Sequence, residues 1–145
     1  MRDKIQNDIA ISELKEKDFK ESIEKKWNCQ LKKLAIVYGF DYAIIKSGKI
    51  TGFLEIKKRN FKTKSFPDSL INLNKWIKAK ELRDSTGLPT ILACSYIDKD
   101  IYCSLKSNTP HELRWGARTT NTRDWQDIQP AVHIPISEFK DLIYR

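Results

Sequence analysis

Two short apolar runs, Asp41-Tyr-Ala-Ile-Ile45 and Thr51-Gly-Phe-Leu-Glu-Ile-Lys57, lie on either side of Lys46-Ser-Gly-Lys49. Runs of this length with β-branched and aromatic residues, joined through a glycine, predict a β-hairpin. A hairpin is restrictive because it fixes which residues are neighbours. With Ser47-Gly48 as a two-residue turn, Asp41 falls opposite Leu54; one more loop residue would set it opposite Glu55. Either register makes Asp41 and Glu55 cross-strand or diagonal neighbours, about 4.5–5.5 Å or 7–8 Å apart. Strand alternation places Lys57 on the face of Glu55, with Leu54 and Ile56 on the other.

Around this hairpin the chain reads as layered α/β. Residues 12–28 form a helix with Ser12 as N-cap, and Glu16, Phe19, Ile23 and Trp27 share one face. Residues 29–37 read as a strand. Residues 60–67 read as a basic loop, after which Asp68 or Ser69 caps a helix to about Ser85. That helix is stopped by Thr86-Gly-Leu-Pro89. Residues 90–97 and 101–105 form a second hairpin. Residues 107–130 read as a polar loop, 131–136 as an edge strand and 137–144 as a closing helix. The expectation is one domain over residues 1–145, with its core in 12–106 and a basic loop and tail in 107–145.

Charge distribution narrows the chemistry. The chain has 27 Lys+Arg against 19 Asp+Glu, a net charge of +8, and this excess favours a polyanionic partner. Residues 12–33 mix both signs. From Lys46 to Lys64, however, seven cations face the single acid Glu55. A third basic stretch interleaves Arg114, Arg118 and Arg123 with Trp115 and Trp125, which suits phosphate contact and base stacking. The alternative for the tryptophans is packing onto the core.

Several classes of function find no support. No apolar run approaches the ~20 residues of a membrane helix, and Met1-Arg2-Asp3-Lys4 leads into no apolar segment, so a cytoplasmic protein is expected. Cys29, Cys94 and Cys103 form no CxxC, and His111 and His133 stand apart, so free thiols are expected rather than zinc. Phosphate-loop, nucleophile-elbow and HExxH signatures are absent.

Glu-x-Lys alone says little, since it recurs at Glu13/Lys15, Glu24/Lys26 and Glu138/Lys140, all in predicted helices. Only Glu55-Ile-Lys57 lies on a predicted strand beside another acid. Two carboxylates so close repel unless a cation lies between them, and Mg²⁺, which takes oxygen ligands, suits that place. Such an ion activates water and shields charge developing at phosphorus, and Lys57 could support the same charge. Glu16 could add a third carboxylate. The competing reading is a cross-strand ion-pair cluster of Asp41, Glu55 and Lys57.

Phe40-Asp41 followed by Glu55-Ile-Lys57, between a helix bearing Glu16 and the helix after residue 68, resembles the PD-(D/E)xK nuclease superfamily. Residues 38–45 and 52–57 are similar to its virus-type replication-repair nuclease and Holliday-junction-resolvase branches, and Asp124-Trp-Gln-Asp-Ile-Gln-Pro130 to small phage proteins. Phe40 stands where the family motif has proline. The resemblance implies a restriction-endonuclease-like αβββαβ core, with a mixed sheet flanked by helices, over about residues 12–106. It implies Mg²⁺ (or Mn²⁺) on Asp41, Glu55 and Glu16, with Glu13 and Glu21 close enough to compete for the last role. Lys57 becomes the catalytic lysine, and Asn72 or Lys75 the helix residue that assists it. DNA is the implied partner, contacted by Lys58, Arg59, Lys62, Lys64, Lys75, Arg114, Arg118 and Arg123, and a homodimer is the resolvase-like precedent. A DNA-binding module that keeps the fold without the activity is the alternative.

Overall fold

The computed structural model describes residues 2–115 and 129–143, with side chains described from Lys15 onward. Helix α1 (Arg2–Trp27) begins ten residues before the expected start at Ser12. No Gly or Pro interrupts this stretch, so the backbone has no reason to break there. Asn28 ends it in the left-handed conformation at φ 49°. The Cys29 N–H reaches the Glu24 carbonyl and the Asn28 N–H reaches that of Lys25, a Schellman termination. Phe19, Ile23 and Trp27 are buried, as their spacing predicts, against Leu31, Tyr42, Ile44, Leu54 and Ile56.

The main sheet has six strands. These are β1 (Gln30–Lys33), β2 (Tyr42–Lys46), β3 (Lys49–Lys58), β5 (Thr90–Ser95), β6 (Asp100–Ser104) and β9 (Lys140–Asp141), in the spatial order β1-β2-β3-β5-β6-β9. Only β3 and β5 run parallel, so the sheet is mixed. The crossover that a parallel pair requires carries β4 (Asp68–Asn72) and α2 (Leu73–Thr86). Alternation sorts the two faces. Leu54, Ile56 and Ala93 turn toward α1, while Phe53, Leu92 and Cys94 join a second core with Ala79 of α2.

A second, three-stranded sheet contributes Ile71, Val132 and Ile134 to that second core. Its order is β4-β8-β7, with β8 (Pro130–Pro135) central and β7 (Glu112–Trp115) outside. No helix among the described residues is long and apolar enough to cross a membrane.

Several expectations are corrected here. Residues 68–72 are strand rather than helix, because Ser69 and Ile71 pair with Ile134 and Val132. The cap of α2 is therefore Asn72, whose Oδ1 accepts the Lys75 N–H at 2.9 Å. The C-terminal stop holds, with Gly87 at φ 69° donating to the Arg83 carbonyl. The strand expected at 29–37 ends at Lys33, and Ile36–Tyr38 is a single 3-10 turn. The 131–136 segment is a central strand, not an edge, since β4 and β7 pair with its two sides. The closing helix is absent: Ile136–Glu138 is a 3-10 turn, and Lys140–Asp141 pairs with β6. The three cysteines are free thiols.

Candidate active site at the end of the central hairpin

The hairpin that orders the sequence also builds the site. Ser47 and Gly48, at φ 51° and 75°, form the two-residue turn, and Lys46 pairs with Lys49. A bulge then shifts the register between Ile44 and Ile45, leaving Thr51 as the extra residue. Its hydroxyl donates to the Ile44 carbonyl at 3.3 Å. Beyond the bulge Tyr42 pairs with Leu54, so the ladder continued by one residue sets Asp41 opposite Glu55. The two registers open in the sequence are thus reconciled: the turn has two residues, and the extra one lies inside β3.

Asp41 Oδ2 accepts the Ile56 N–H at 2.9 Å, which fixes its carboxylate over the end of β3. Glu55 is 2% exposed, unusual for an ionisable side chain. Lys75 Nζ lies 3.3 Å from its Oε1 and Lys57 Nζ 3.8 Å from its Oε2. The Lys75 contact is close enough for charge attraction but not aligned as a hydrogen bond, so buried Oε1 has no hydrogen-bond partner. Burial raises the Glu55 pKa, and the Asp41 charge raises it further; Lys75 and Lys57 pull it down without offsetting the rise.

Glu16 lines the same open cleft as Asp41, Glu55, Lys57 and Lys75. It comes from the α1 side, where its Oε1 accepts the Tyr42 hydroxyl at 3.1 Å and faces Lys33 Nζ at 3.6 Å. Tyr42 shares the α1 face while Glu55 lies on the other, so Glu16 approaches across the end of the sheet. Among the described residues no three Asp, Glu, His or Cys side chains come together as a metal-holding group. The Tyr42 phenol is pushed well above its usual range, first by burial and then by Glu16. Exposed Glu21 pairs with Lys17 at 4.0 Å, on the helix surface.

The remaining expected contacts are distributed unevenly. Lys58 turns to the α1 face, over the Phe19 ring and toward the Lys15 carbonyl. Arg59 donates to the Leu70 carbonyl at 3.2 Å and so ties the end of β3 to β4. Lys62 and Lys64 are exposed. Arg114 pairs with Glu112 at 2.7 Å and Asp68 at 3.5 Å. Trp115 is 69% exposed, so it does not pack onto the core. Arg118, Arg123, Trp125 and most of the 124–130 segment lie outside the described residues. His111 stacks on Trp76 with ring centroids 4.3 Å apart.

Two carboxylates in one cleft, one of them buried with no aligned hydrogen bond to its Oε1, fit a hard divalent cation, which would take over the charge that Lys75 and Lys57 now supply. The architecture carrying them, α1-β1-β2-β3 followed by α2 and β5 in one mixed sheet, is a restriction-endonuclease-like fold. The chain belongs to the phage putative PDDEXK endonuclease family, whose model matches residues 6–142. No protein of curated function matches it.

Proposed function

We propose that this protein is a Mg²⁺-dependent (or Mn²⁺-dependent) nuclease that hydrolyses DNA phosphodiester bonds, with a preference for branched DNA, in the cytoplasm of a bacterium or phage-infected host. The observation that supports the reading is Glu55, a buried carboxylate that shares a cleft with Asp41 and faces the Lys57 and Lys75 ammonium groups. Burying a carboxylate with such loose pairing costs stability, which an ion-pair cluster kept only for the fold would avoid. Asp41 and Glu55 would hold the cation, and Glu16 stands near enough in the cleft to serve it through water. When bound, the cation supplies polarisation of a phosphate oxygen and activation of water.

The chain's own groups do the rest. The Ile56 N–H holds Asp41 in place. Lys57 and Lys75 flank Glu55 and present ammonium groups where negative charge grows on phosphate oxygens. Lys33 and Lys58 line the cleft, and exposed Lys62 and Lys64, which follow β3 in the chain, would contact a DNA backbone. The test is cleavage of branched, duplex and single-stranded DNA with Mg²⁺ or EDTA, using Glu55→Ala as control. Metal-dependent cleavage lost in Glu55→Ala is expected. Salt-sensitive DNA binding without cleavage would identify a non-catalytic module instead.

A further inference from the structure

The 3-10 turn between β1 and β2 exposes three consecutive apolar residues: Ile36 is 98% exposed, Val37 77% and Tyr38 51%. Single exposed apolar residues are ordinary, but three together at a loop tip ask for a partner. Folding gains nothing from them there. Ile36 and Val37 are β-branched, and helical backbone restricts their side chains. The turn is nonetheless well built. The Tyr38 N–H reaches the Ala35 carbonyl at 3.1 Å, and the Gly39 N–H that of Ile36 at 3.0 Å. Gly39 takes φ 71°, with the Lys78 side chain where a Cβ would stand. Buried Phe40 anchors one end. The Leu34 N–H donates to the Asp41 carbonyl at 2.9 Å and closes the loop.

The loop therefore ends on the candidate metal-holding residue. Val37 is four residues from Asp41, so the tip lies within about 14 Å of it, roughly four base steps along a strand at ~3.4 Å each. Three lysines lie at its base: Lys32 and Lys33 end β1, where Lys33 Nζ also faces Glu16, and Lys78 of α2 packs its stem on Gly39 and pairs with Glu81. An apolar tip next to lysines matches DNA, whose bases are apolar in face and whose backbone is anionic. Proteins that open base steps do so with such apolar wedges. Resting on the nuclease reading above, we propose that Ile36-Val37-Tyr38 is a DNA wedge. Ile36 and Val37 enter an open base step beside the cleft, and Tyr38 stacks on a displaced base. The favoured substrate is then DNA with a branch or flap, where a step is already open, over continuous duplex.

The test uses the full-length protein and a three-way junction carrying 2-aminopurine at the branch, with EDTA present to suppress metal-dependent cleavage. With the label on the base that Ile36 and Val37 part from its neighbour, not on the displaced base that Tyr38 covers, fluorescence is expected to rise on binding as the step opens. Ile36→Ser/Val37→Ser is expected to abolish the rise and lower the junction-over-duplex affinity ratio at least about fivefold, the scale of one stacked base. Val37→Trp, which enlarges the stacking surface, is expected to raise that ratio. An unchanged ratio in both variants overturns the proposal. So does conversion of a dimer to a monomer by the double variant, which would make the turn a self-interface. Unstacking without any Mg²⁺-dependent cleavage would remove the nuclease reading and leave the wedge; cleavage with an unchanged ratio would do the reverse.

Discussion

The Lys75 ammonium stands 3.3 Å from Oε1 of Glu55, and it does so because a strand ends at Asn72. Asn72 caps α2 by accepting the Lys75 N–H, which starts the helix where its first turn faces the end of β3. Lys75 is a competitor as well as a helper, since its charge occupies the space a divalent cation would share. Lys75→Met is expected to bind Mn²⁺ more tightly than wild type while cleaving at least about tenfold more slowly, because charge support at phosphate is lost. Lys57→Ala is expected to slow cleavage by about 10²–10³-fold. Mn²⁺ titration and single-turnover cleavage check both; a parallel loss of binding and cleavage in Lys75→Met would mean that Lys75 only supports the fold.

Glu55 also makes stability depend on pH. Its pKa in the fold lies above the ordinary 4.5. The protonated form is therefore the better-tolerated one, and stability falls as pH rises from about that ordinary value through the raised one. In EDTA, Glu55→Gln is expected to raise Tm by about 2–4 °C at pH 8, the effect of ~1 kcal/mol in a domain of this size. Near pH 4 the gain should vanish, because both proteins then carry a neutral side chain. Thermal melts across pH check this; equal melting temperatures at pH 8 would show that the lysines fully offset the burial.

The basic residues separate by what they already touch. Lys62 and Lys64 are exposed, whereas the Arg59 guanidinium is committed to the Leu70 carbonyl. Lys62→Ala/Lys64→Ala is expected to weaken DNA binding uniformly across sequences and to reduce the salt slope by about 1–2. Arg59→Ala is expected to lower Tm, with little change in that slope. Binding isotherms at several salt concentrations, with melts of each variant, distinguish the two effects.

The hairpin and its acids were legible because they depend on local rules: alternation, a Ser-Gly turn and helical spacing on α1. The bulge at Thr51 was not, although it decides that Asp41 meets Glu55, since a bulge is set by packing along the whole ladder. Asp68–Asn72 reads as helix in the sequence because Leu70 and Leu73 extend the helical spacing of Trp76 and Ile77 backward. Its strand character comes from pairing with Ala131–Pro135, some sixty residues later. The closing segment fails for the same reason: Lys140 and Asp141 are strand only because β6 is there to pair with them. The depth of Glu55 was also hidden, because burial depends on α2 closing over the sheet. Trp115 shows the reverse: the sequence leaves base stacking and core packing both open for it, and the fold leaves it outside.

The most direct test of the account is Mn²⁺ binding, followed by the electron paramagnetic resonance signal of the free ion, in wild type, Asp41→Asn, Glu55→Gln and Glu16→Gln. Saturable binding in wild type is expected to be lost in Asp41→Asn and Glu55→Gln and largely kept in Glu16→Gln, whose carboxylate is engaged by Tyr42 and Lys33. Binding that is the same in wild type, Asp41→Asn and Glu55→Gln would contradict a metal site at the end of this hairpin.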